Sequence, residues 1–244
     1  MEFTYREYTR LIEALKEEGY VFTDYFNEKV HPKAVILRHD VDASLEKAVA
    51  FARIEHQEGV KATYFILLST DFYNVSSKGS AALIQEICDL GHDIGLHYDE
   101  KKYIKEGQAW DEQVVRESIQ REAAILSSII GVAVRSVSMH VPSKETLQAN
   151  LAIEGLVNSY SDYFFNGYKY ISDSFRNWRE DAYEVISSKQ HKKIHLLTHP
   201  FWYNEEDFSR AEVFRNNIDV AAKEKYRQLE ENLLPPGSKL KDYL

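Results

Sequence analysis

The chain has 244 residues, of which 44% are hydrophobic and 28% charged, so it can bury a sizeable core and needs no disulfide to fold. A formal net charge of −9 and a pI near 5.5 argue against a nucleic-acid surface built on clustered Lys and Arg. Cys88 is the only cysteine, which excludes an intrachain disulfide and fits a reducing compartment.

Segments with helical spacing alternate along the chain with short strand-like segments, and a glycine precedes five of the strand-like ones. A glycine just past a helix adopts the left-handed conformation without a Cβ clash, so this pattern predicts repeated helix-to-strand turns. The five glycines are Gly19, Gly59, Gly91, Gly131 and Gly155. Three serines stand where helix N-caps are expected: Ser44, Ser80 and Ser143.

Four strand-like runs are apolar on both faces, as in a parallel sheet that is covered by helices. They are AVILRH at 34–39, ATYFILL at 62–68, VAVRSV at 132–137 and KIHLLTH at 193–199. Alternation of strands and helices indicates an α/β fold. No Gly-rich phosphate loop follows the first run, which counts against a dinucleotide fold. We favour a barrel over a doubly wound sheet, because the polar residues that suggest chemistry lie at strand ends, which converge in a barrel.

We predict a single domain over residues 1–244, since Gly and Pro number only 10 and 5 and no Ser/Gly linker interrupts the chain. Its motif-bearing core spans about 34–200, and segments 1–30 and 205–244 are expected to be peripheral helical additions. The charged run at 207–234 predicts an amphipathic helix packed on the barrel, with a homo-oligomer contact as an alternative.

Three short segments end in groups that could share one divalent cation. They are LRHDVD at 37–42, GHDIGLH at 91–97 and LLTHP at 196–200. Side chains two apart in a strand project to the same face, so Asp40 and Asp42 form a carboxylate pair. A lone pair of this kind is more often a solvated turn, but histidines at the ends of two further strands favour a metal site.

Five residues resemble the motifs of the NodB-homology polysaccharide deacetylases, carbohydrate esterase family 4 (CE4). They are Asp40, Asp42, His97, Arg135 and His199. The resemblance runs in order from about residue 34 to 200. It implies a distorted (β/α) barrel that removes N- or O-acyl groups from sugars with a divalent metal. Zinc is the first choice, with nickel, cobalt or manganese as alternatives.

The resemblance also implies roles for the matched residues. HDVD is similar to the first motif of the family, which makes Asp40 the general base and Asp42 a metal ligand. GHDIGLH is similar to the second motif, whose last residue, here His97, binds the metal. LLTH resembles the last motif, with His199 as the general acid. Arg135 would orient the base, as the arginine of the third motif does.

The stretch SDSFRNW resembles the fourth motif, with Asp173 and Trp178 in the places of its Asp and Trp. Asp173 joins the predicted catalytic residues on this ground, although SDS is also typical of a turn. Trp178 and Trp202 are candidate sugar-stacking residues. Aromatic side chains are more often part of a core, which is the competing interpretation for both.

The chain departs from the family at one ligand position. A second metal-binding histidine usually stands four residues after the first, and Lys101 stands there instead. An ammonium is a poor ligand, so either another residue supplies the third ligand or the metal site is lost. His140 is the favoured substitute, because it ends a strand on the same rim and restores the ligand set of a hydrolytic zinc site. Asp99, Glu100 and His39 are weaker candidates, and Lys101 becomes a candidate substrate contact.

These interpretations predict a metal-dependent hydrolase that removes an acetyl or formyl group from an amide of a sugar or of a nucleotide- or lipid-linked glycan precursor. No apolar run approaches the ~20 residues of a membrane span, and the start lacks a secretory core, so a cytoplasmic location is expected. Two alternatives stay open. One is a catalytically silent relative that binds glycan or biosynthetic partners, and the other is a hydrolase of a non-sugar C–N bond.

Overall fold

The computed structural model describes residues 1–243 and contains a curled, parallel sheet covered by helices. The strands are β1 (Val21–Thr23), β2 (Ala34–Val41), β3 (Thr63–Leu67), β4 (Asp93–Tyr98), β5 (Ser136–Met139), β6 (Val157–Asn158), β7 (Lys169–Ser172) and β8 (Lys193–Thr198). The α-helices are α1 (Tyr5–Glu17), α2 (Leu45–Gln57), α3 (Lys78–Asp89), α4 (Glu112–Ile130), α5 (Lys144–Gln148), α6 (Asp162–Gly167), α7 (Ala182–Ser187) and α8 (Arg210–Leu233). Short 3₁₀-helices cover Glu100–Lys102, Ser174–Arg176, Pro200–Trp202 and Leu240–Asp242.

The strand order is β6-β5-β4-β3-β2-β8-β7, and β1 pairs with the first half of β2. All of these pairs are parallel. β6 and β7 are the two ends of the order, so the sheet is an open half-barrel. The predicted α/β fold of the distorted (β/α) barrel type is confirmed in this open form, and the C-terminal ends of its strands meet at one rim.

The central strand β2 is buried along its whole length and packs on both faces. Val35 and Leu37 join the large core beneath the helices. Ile36 faces the other way, into a smaller cluster inside the half-barrel with Phe65. This alternation puts Arg38 and Asp40 on the inner side with Ile36, because side chains two apart share a face.

The inner face of β4 needs a glycine. A Cβ on Gly95 would lie 2.8 Å from the Ser136 hydroxyl oxygen and would overlap the Phe65 ring. Gly95 therefore lets Phe65 fill the space beneath the site, while His97, two residues on, reaches the rim. This packing accounts for the glycine inside the GHDIGLH motif.

The predicted helix ends are mostly confirmed. Ser44 and Ser143 cap their helices as expected, whereas the expectation for Ser80 is wrong. Ser77 is the cap of α3, and its hydroxyl accepts a hydrogen bond from the Ser80 amide. All five glycines have positive φ, but Gly155 lies in a turn rather than directly behind a helix.

The strand predicted at 132–137 begins later than expected, at Ser136. Gly131 ends α4 in the left-handed region, and the Val134 amide then donates to the Ser127 hydroxyl of that helix. The segment therefore bonds to α4 before it can enter the sheet. Arg135 precedes the strand instead of lying within it.

The chain divides into two compact units, residues 1–205 and a unit that begins at Glu206. In the first unit, α1 buries Tyr8, Leu11 and Leu15 in the core, and β1 joins the sheet. Segment 1–30 is thus not the peripheral helical addition that we expected. In the second unit, α8 is the helix predicted from the charged run, and a capping box of Ser209 and Glu212 starts it. No helix within residues 1–243 combines the length and apolar character that crossing a bilayer requires.

Candidate metal centre and active site

Three predicted ligands meet at the C-terminal rim of the half-barrel. Asp42 follows β2, His97 lies near the end of β4, and His140 follows β5. The His140 amide donates to the Tyr98 carbonyl over 2.7 Å, which continues the β4–β5 ladder and holds the two histidines side by side. His140, and not the residue at 101, thus completes a group with Asp42 and His97.

The three side chains point their ligand atoms at one spot. Asp42 Oδ1 lies 3.2 Å from His97 Nε2 and 3.2 Å from His140 Nδ1. The two imidazole nitrogens are 3.1 Å apart. Ligand atoms arranged tetrahedrally at roughly 2.0–2.1 Å from zinc would lie about 3.3–3.4 Å from one another. The triangle therefore fits one small divalent ion with little rearrangement.

The Asp42 carboxylate is not fully satisfied within this group. Asp42 Oδ1 is buried and has no hydrogen bond of acceptable geometry among residues 1–243. Burial alone would raise the pKa of Asp42, but His140 and His97 outweigh it and hold that pKa far below its usual range. An ionised carboxylate that faces two imidazole nitrogens is the donor set of a divalent metal site with an open position.

The predicted base, Asp40, lies directly beside this group, with its Oδ2 atom 3.8 Å from His97 Nε2. It is buried, and Arg38 donates to Oδ2 over 2.7 Å. Burial would raise the pKa of Asp40, but Arg38 above all, with His97 and His199, lowers it below its ordinary value. Asp40 is therefore ionised at neutral pH.

The predicted acid, His199, is paired with Asp173. His199 Nδ1 donates to Asp173 Oδ1 over 2.6 Å, and the His199 amide donates to both carboxylate oxygens over 3.1 Å. Burial would lower the pKa of His199, but Asp173, Asp42 and Asp40 outweigh it and raise that pKa to about 9. His199 therefore carries a proton at neutral pH, and Asp173 fixes the orientation of its ring.

A cavity of about 440 Å³ brings these groups together. Asp40, Asp42, His97, His140 and His199 all line it. Its remaining wall is largely aromatic and aliphatic, and it includes the candidate stacking residue Trp202. A molecule in this cavity would thus meet the candidate metal ligands, the Asp40 carboxylate and the His199 imidazole at the same time.

Three predicted site residues lie elsewhere. The expectation that Arg135 sits beside Asp40 is wrong, because Arg135 precedes β5 at the opposite end of the sheet and stacks on Phe26 at 4.1 Å. Lys101 is exposed in the 3₁₀-helix after β4 and borders a separate cleft. Trp178 is half-buried against the large core and does not line the cavity.

The weaker ligand candidates have other partners. His39 lies on the outer face of β2 and bonds to Glu55. Asp99 caps the following 3₁₀-helix, and Glu100 accepts from the Ser143 amide over 2.5 Å. These bonds leave His140 as the third member of the metal-ligand group.

Arg38 contacts the candidate base Asp40, and the sequence analysis did not single it out. Its buried guanidinium also donates to the hydroxyls of Ser138 and Ser159, over 2.7 and 3.0 Å. The sequence RHDVD predicts the contact with Asp40, since Arg38 stands two residues before Asp40 and shares its face of the strand.

The fold and the site together define a parallel half-barrel of the CE4 type with a candidate divalent-metal site at its rim. The chain is structurally similar to a CE4 esterase from Streptococcus mutans, with a TM-score of 0.51 over 87% of this chain and 91% of that chain, at 16% identity. No protein-family model and no curated protein sequence matches it.

Two further solved structures are similar at lower scores. One is the CE4 domain of a multidomain xylanase from the hindgut metagenome of Trinervitermes trinervoides, at 15% identity and a TM-score of 0.45, over 86% of this chain and 95% of that chain. The other is a CE4 family pseudoenzyme from Bacillus anthracis, at 17% identity and a TM-score of 0.44, over 80% of this chain and 63% of that chain.

Proposed function

We propose that this protein is a metal-dependent deacylase that hydrolyses an acyl amide on a sugar or glycan precursor. One observation carries the proposal. The ligand atoms of Asp42, His97 and His140 lie 3.1–3.2 Å from one another, in the same cavity as the Asp40 carboxylate and the His199 imidazole. Amide hydrolysis needs these three elements together: a cation site, a base and an acid.

Asp42, His97 and His140 would hold the ion, which would supply Lewis-acid polarisation of the acyl oxygen and a lowered water pKa. Two nitrogen ligands and one carboxylate favour zinc, and nickel, cobalt or manganese would suit the same donors. Asp40 acts as the base and removes a proton from the attacking water. Arg38 keeps Asp40 ionised for this step, since it donates to the carboxylate over 2.7 Å. Proton transfer to a positioned base is typically worth ~10²–10⁴-fold in rate.

His199 acts as the general acid. Its pKa of about 9 keeps it protonated at neutral pH, so it can protonate the amine as the C–N bond breaks. Asp173 accepts from Nδ1, and this bond leaves the Nε2–H free to reach the leaving group. The pair of Asp40 and His199 has opposite pKa shifts, which is the arrangement expected of a base and an acid that act at one pH.

The substrate class rests on the similarity to CE4 esterases in fold and on the motifs. We propose an acetyl or formyl amide of a sugar, carried by a nucleotide or a lipid, as the first class to test. The expected cytoplasmic location and the identity of the metal stay predictions.

The proposal is tested by release of acetate or formate from a panel of acylated amino sugars, free and nucleotide-linked, with protein reconstituted to one equivalent of zinc. We expect release that a chelator abolishes and added metal restores. An Asp40→Asn variant controls for contaminating activity, because it should keep the metal and lose turnover. Full metal occupancy without hydrolysis of any member of the panel would refute the deacylase and favour a silent binding protein.

A further inference from the structure

Exposed apolar side chains surround the mouth of the site cavity. We call them the apolar rim: Val141, Leu147, Phe165 and Phe175. Their exposed fractions are 50%, 40%, 38% and 68%, and all four line the cavity. Single exposed apolar residues are ordinary on a protein surface, but a group of them around one cavity marks a binding surface.

Two rim residues have strained backbones. Val141 has a φ of 45°, and Phe175 has a φ of 58° with a ψ of 27°. The left-handed region is unfavourable for residues with a Cβ and most of all for a β-branched one. Residues held in this way cluster at ligand-binding sites, where the surrounding structure imposes the strain.

Both strained residues stand next to the reacting groups. Val141 directly follows the ligand His140, and Phe175 lies two residues after Asp173, which orients His199. The rim therefore reaches both the metal side and the acid side of the cavity. A substrate whose scissile bond lies between these groups must pass the rim.

The apolar surface continues inward from the rim. The Phe165 ring stacks on Tyr160 and on Tyr170, with centroids 5.3 Å apart in each pair. Among the residues described, the lining offers few polar groups beyond these tyrosines and the catalytic and ligand side chains. Ser172 and Ser174 bond to each other over 2.6 Å, and Arg179 is the one Lys or Arg side chain that residues 1–243 contribute to the lining.

We propose that the substrate of this site carries an apolar group next to the scissile bond, and that the apolar rim binds it. The group is either an acyl chain longer than acetyl or an alkyl or polyprenyl group on the sugar. A nucleotide diphosphate fits less well, because phosphates need several cations or N–H donors. The catalytic part of this inference rests on the proposed deacylase function, whereas the binding part does not.

Binding is tested first, without turnover. Zinc-loaded protein is titrated with methyl, butyl and hexyl β-glucosides, below the concentration at which micelles form, and affinity is measured by calorimetry. Burial of one methylene is worth about 0.8 kcal/mol, or roughly fourfold in affinity, so the hexyl glucoside should bind at least tenfold more tightly than the methyl glucoside. Equal affinities for the three glucosides would overturn the proposal, even if acetate release is observed.

Hydrolysis then distinguishes the two sources of the apolar group. One series is glucosamine N-acylated with acetyl, butanoyl or hexanoyl groups, and the other is N-acetylglucosamine with methyl, butyl or hexyl aglycones. A kcat/KM that rises along one series identifies the acyl or the aglycone side. If alkyl glucosides bind with the expected preference and neither series is hydrolysed, the deacylase function fails and the rim proposal stands.

Two variants test the rim itself. Val141→Gly and Phe175→Asn replace strained residues with ones that tolerate positive φ, so the thermal midpoint should stay constant or rise. The preference for hexyl over methyl glucoside should fall in both. Val132→Gly is the matched control, since Val132 is 47% exposed and lies outside the cavity, and it should leave the preference unchanged. An undiminished preference in both rim variants would contradict the proposal.

Discussion

The strand β2 carries polar groups on both of its faces, and the two clusters differ in how well their atoms are satisfied. On the outer face, His39 bonds through Nδ1 to Thr198 at 2.7 Å and through Nε2 to Glu55 at 2.6 Å. The second Glu55 oxygen accepts from Tyr64 over 2.5 Å. Both nitrogens of His39 and both oxygens of Glu55 therefore have partners.

On the inner face, the cluster is incomplete by itself. Asp42 Oδ1 is buried without a hydrogen bond of acceptable geometry among residues 1–243, and the group opens on a cavity. Because burying an unsatisfied polar atom is costly, such atoms are retained where a ligand or a reaction uses them. The same residue types thus form a framework on one face and a site on the other.

The outer cluster holds together the strands that carry the residues of the inner cluster. His39 is the register partner of Thr198 in β8 and of Tyr64 in β3. It stands between Arg38 and Asp40, and Thr198 directly precedes His199. A mutation on the outer face should therefore act through stability, and one on the inner face through metal or turnover.

Loss of the base should have the largest effect. Asp40→Asn should lower kcat by ~10²–10⁴-fold, because the attacking water loses its proton acceptor. The variant should bind the same equivalent of zinc, which mass spectrometry checks. Asp42 stands two residues after Asp40, and an Asp42→Asn variant should lose both zinc binding and turnover. Asp40→Asn with near wild-type turnover would remove Asp40 from the mechanism.

On the outer face, Glu55→Ala should lower the free energy of unfolding by about 3–5 kcal/mol, since it leaves buried polar partners without their acceptor. Urea denaturation measures this change. Glu46→Ala, on the exposed side of the same helix, is the control and should change stability by less than about 0.5 kcal/mol. A Glu55→Ala variant that keeps its stability and loses turnover would break the distinction between the two faces.

The two arginines give a sharper test of the inner face. Arg38→Met should lower kcat/KM by roughly 10–100-fold, as is typical when a residue that supports a site is removed. It should also move the acid limb of the pH profile to higher pH, because the pKa of Asp40 rises without its cation. Arg135→Met should leave kcat/KM and the profile unchanged. The opposite ranking would restore the role that the family resemblance implies for Arg135.

The smallest expected effect is a shift of the alkaline limb. A general acid works in its protonated form, so kcat/KM should be constant at neutral pH and fall as pH rises through about 9, the pKa of His199. Asp173→Asn removes the carboxylate that raises this pKa, so the fall should begin at lower pH. An alkaline limb that does not move in Asp173→Asn would indicate that another group titrates there.

The sequence predicted those parts of the molecule that local patterns determine. Apolar runs and the glycines behind helices located the main strands, and strand ends then brought Asp42, His97 and His140 to one rim. His140 could be inferred because it ends a strand beside the one that carries His97. These predictions needed only periodicity and the convergence of parallel strand ends.

The features that the sequence did not predict depend on tertiary contacts. The hydrogen bond from Val134 to Ser127 delays the start of β5. The register of β5 on β4 pairs Ser138 with His97, so Arg135 lies three residues before the level of the site and away from the base. Arg38 could have been found from its face of the strand, but its partners Ser138 and Ser159 come from distant segments. The strained φ values of Val141 and Phe175 have no counterpart in a sequence pattern, because tertiary packing imposes them.

The most direct test of the account is a zinc titration of the metal-free protein, with affinity and stoichiometry measured together. Wild-type protein and Lys101→Ala should each bind one zinc ion with the same affinity. His140→Ala should lose more than the 10–100-fold that is typical of residues outside the ligand set. If His140→Ala bound one zinc ion as tightly as the wild type, the proposed metal centre of Asp42, His97 and His140 would be wrong.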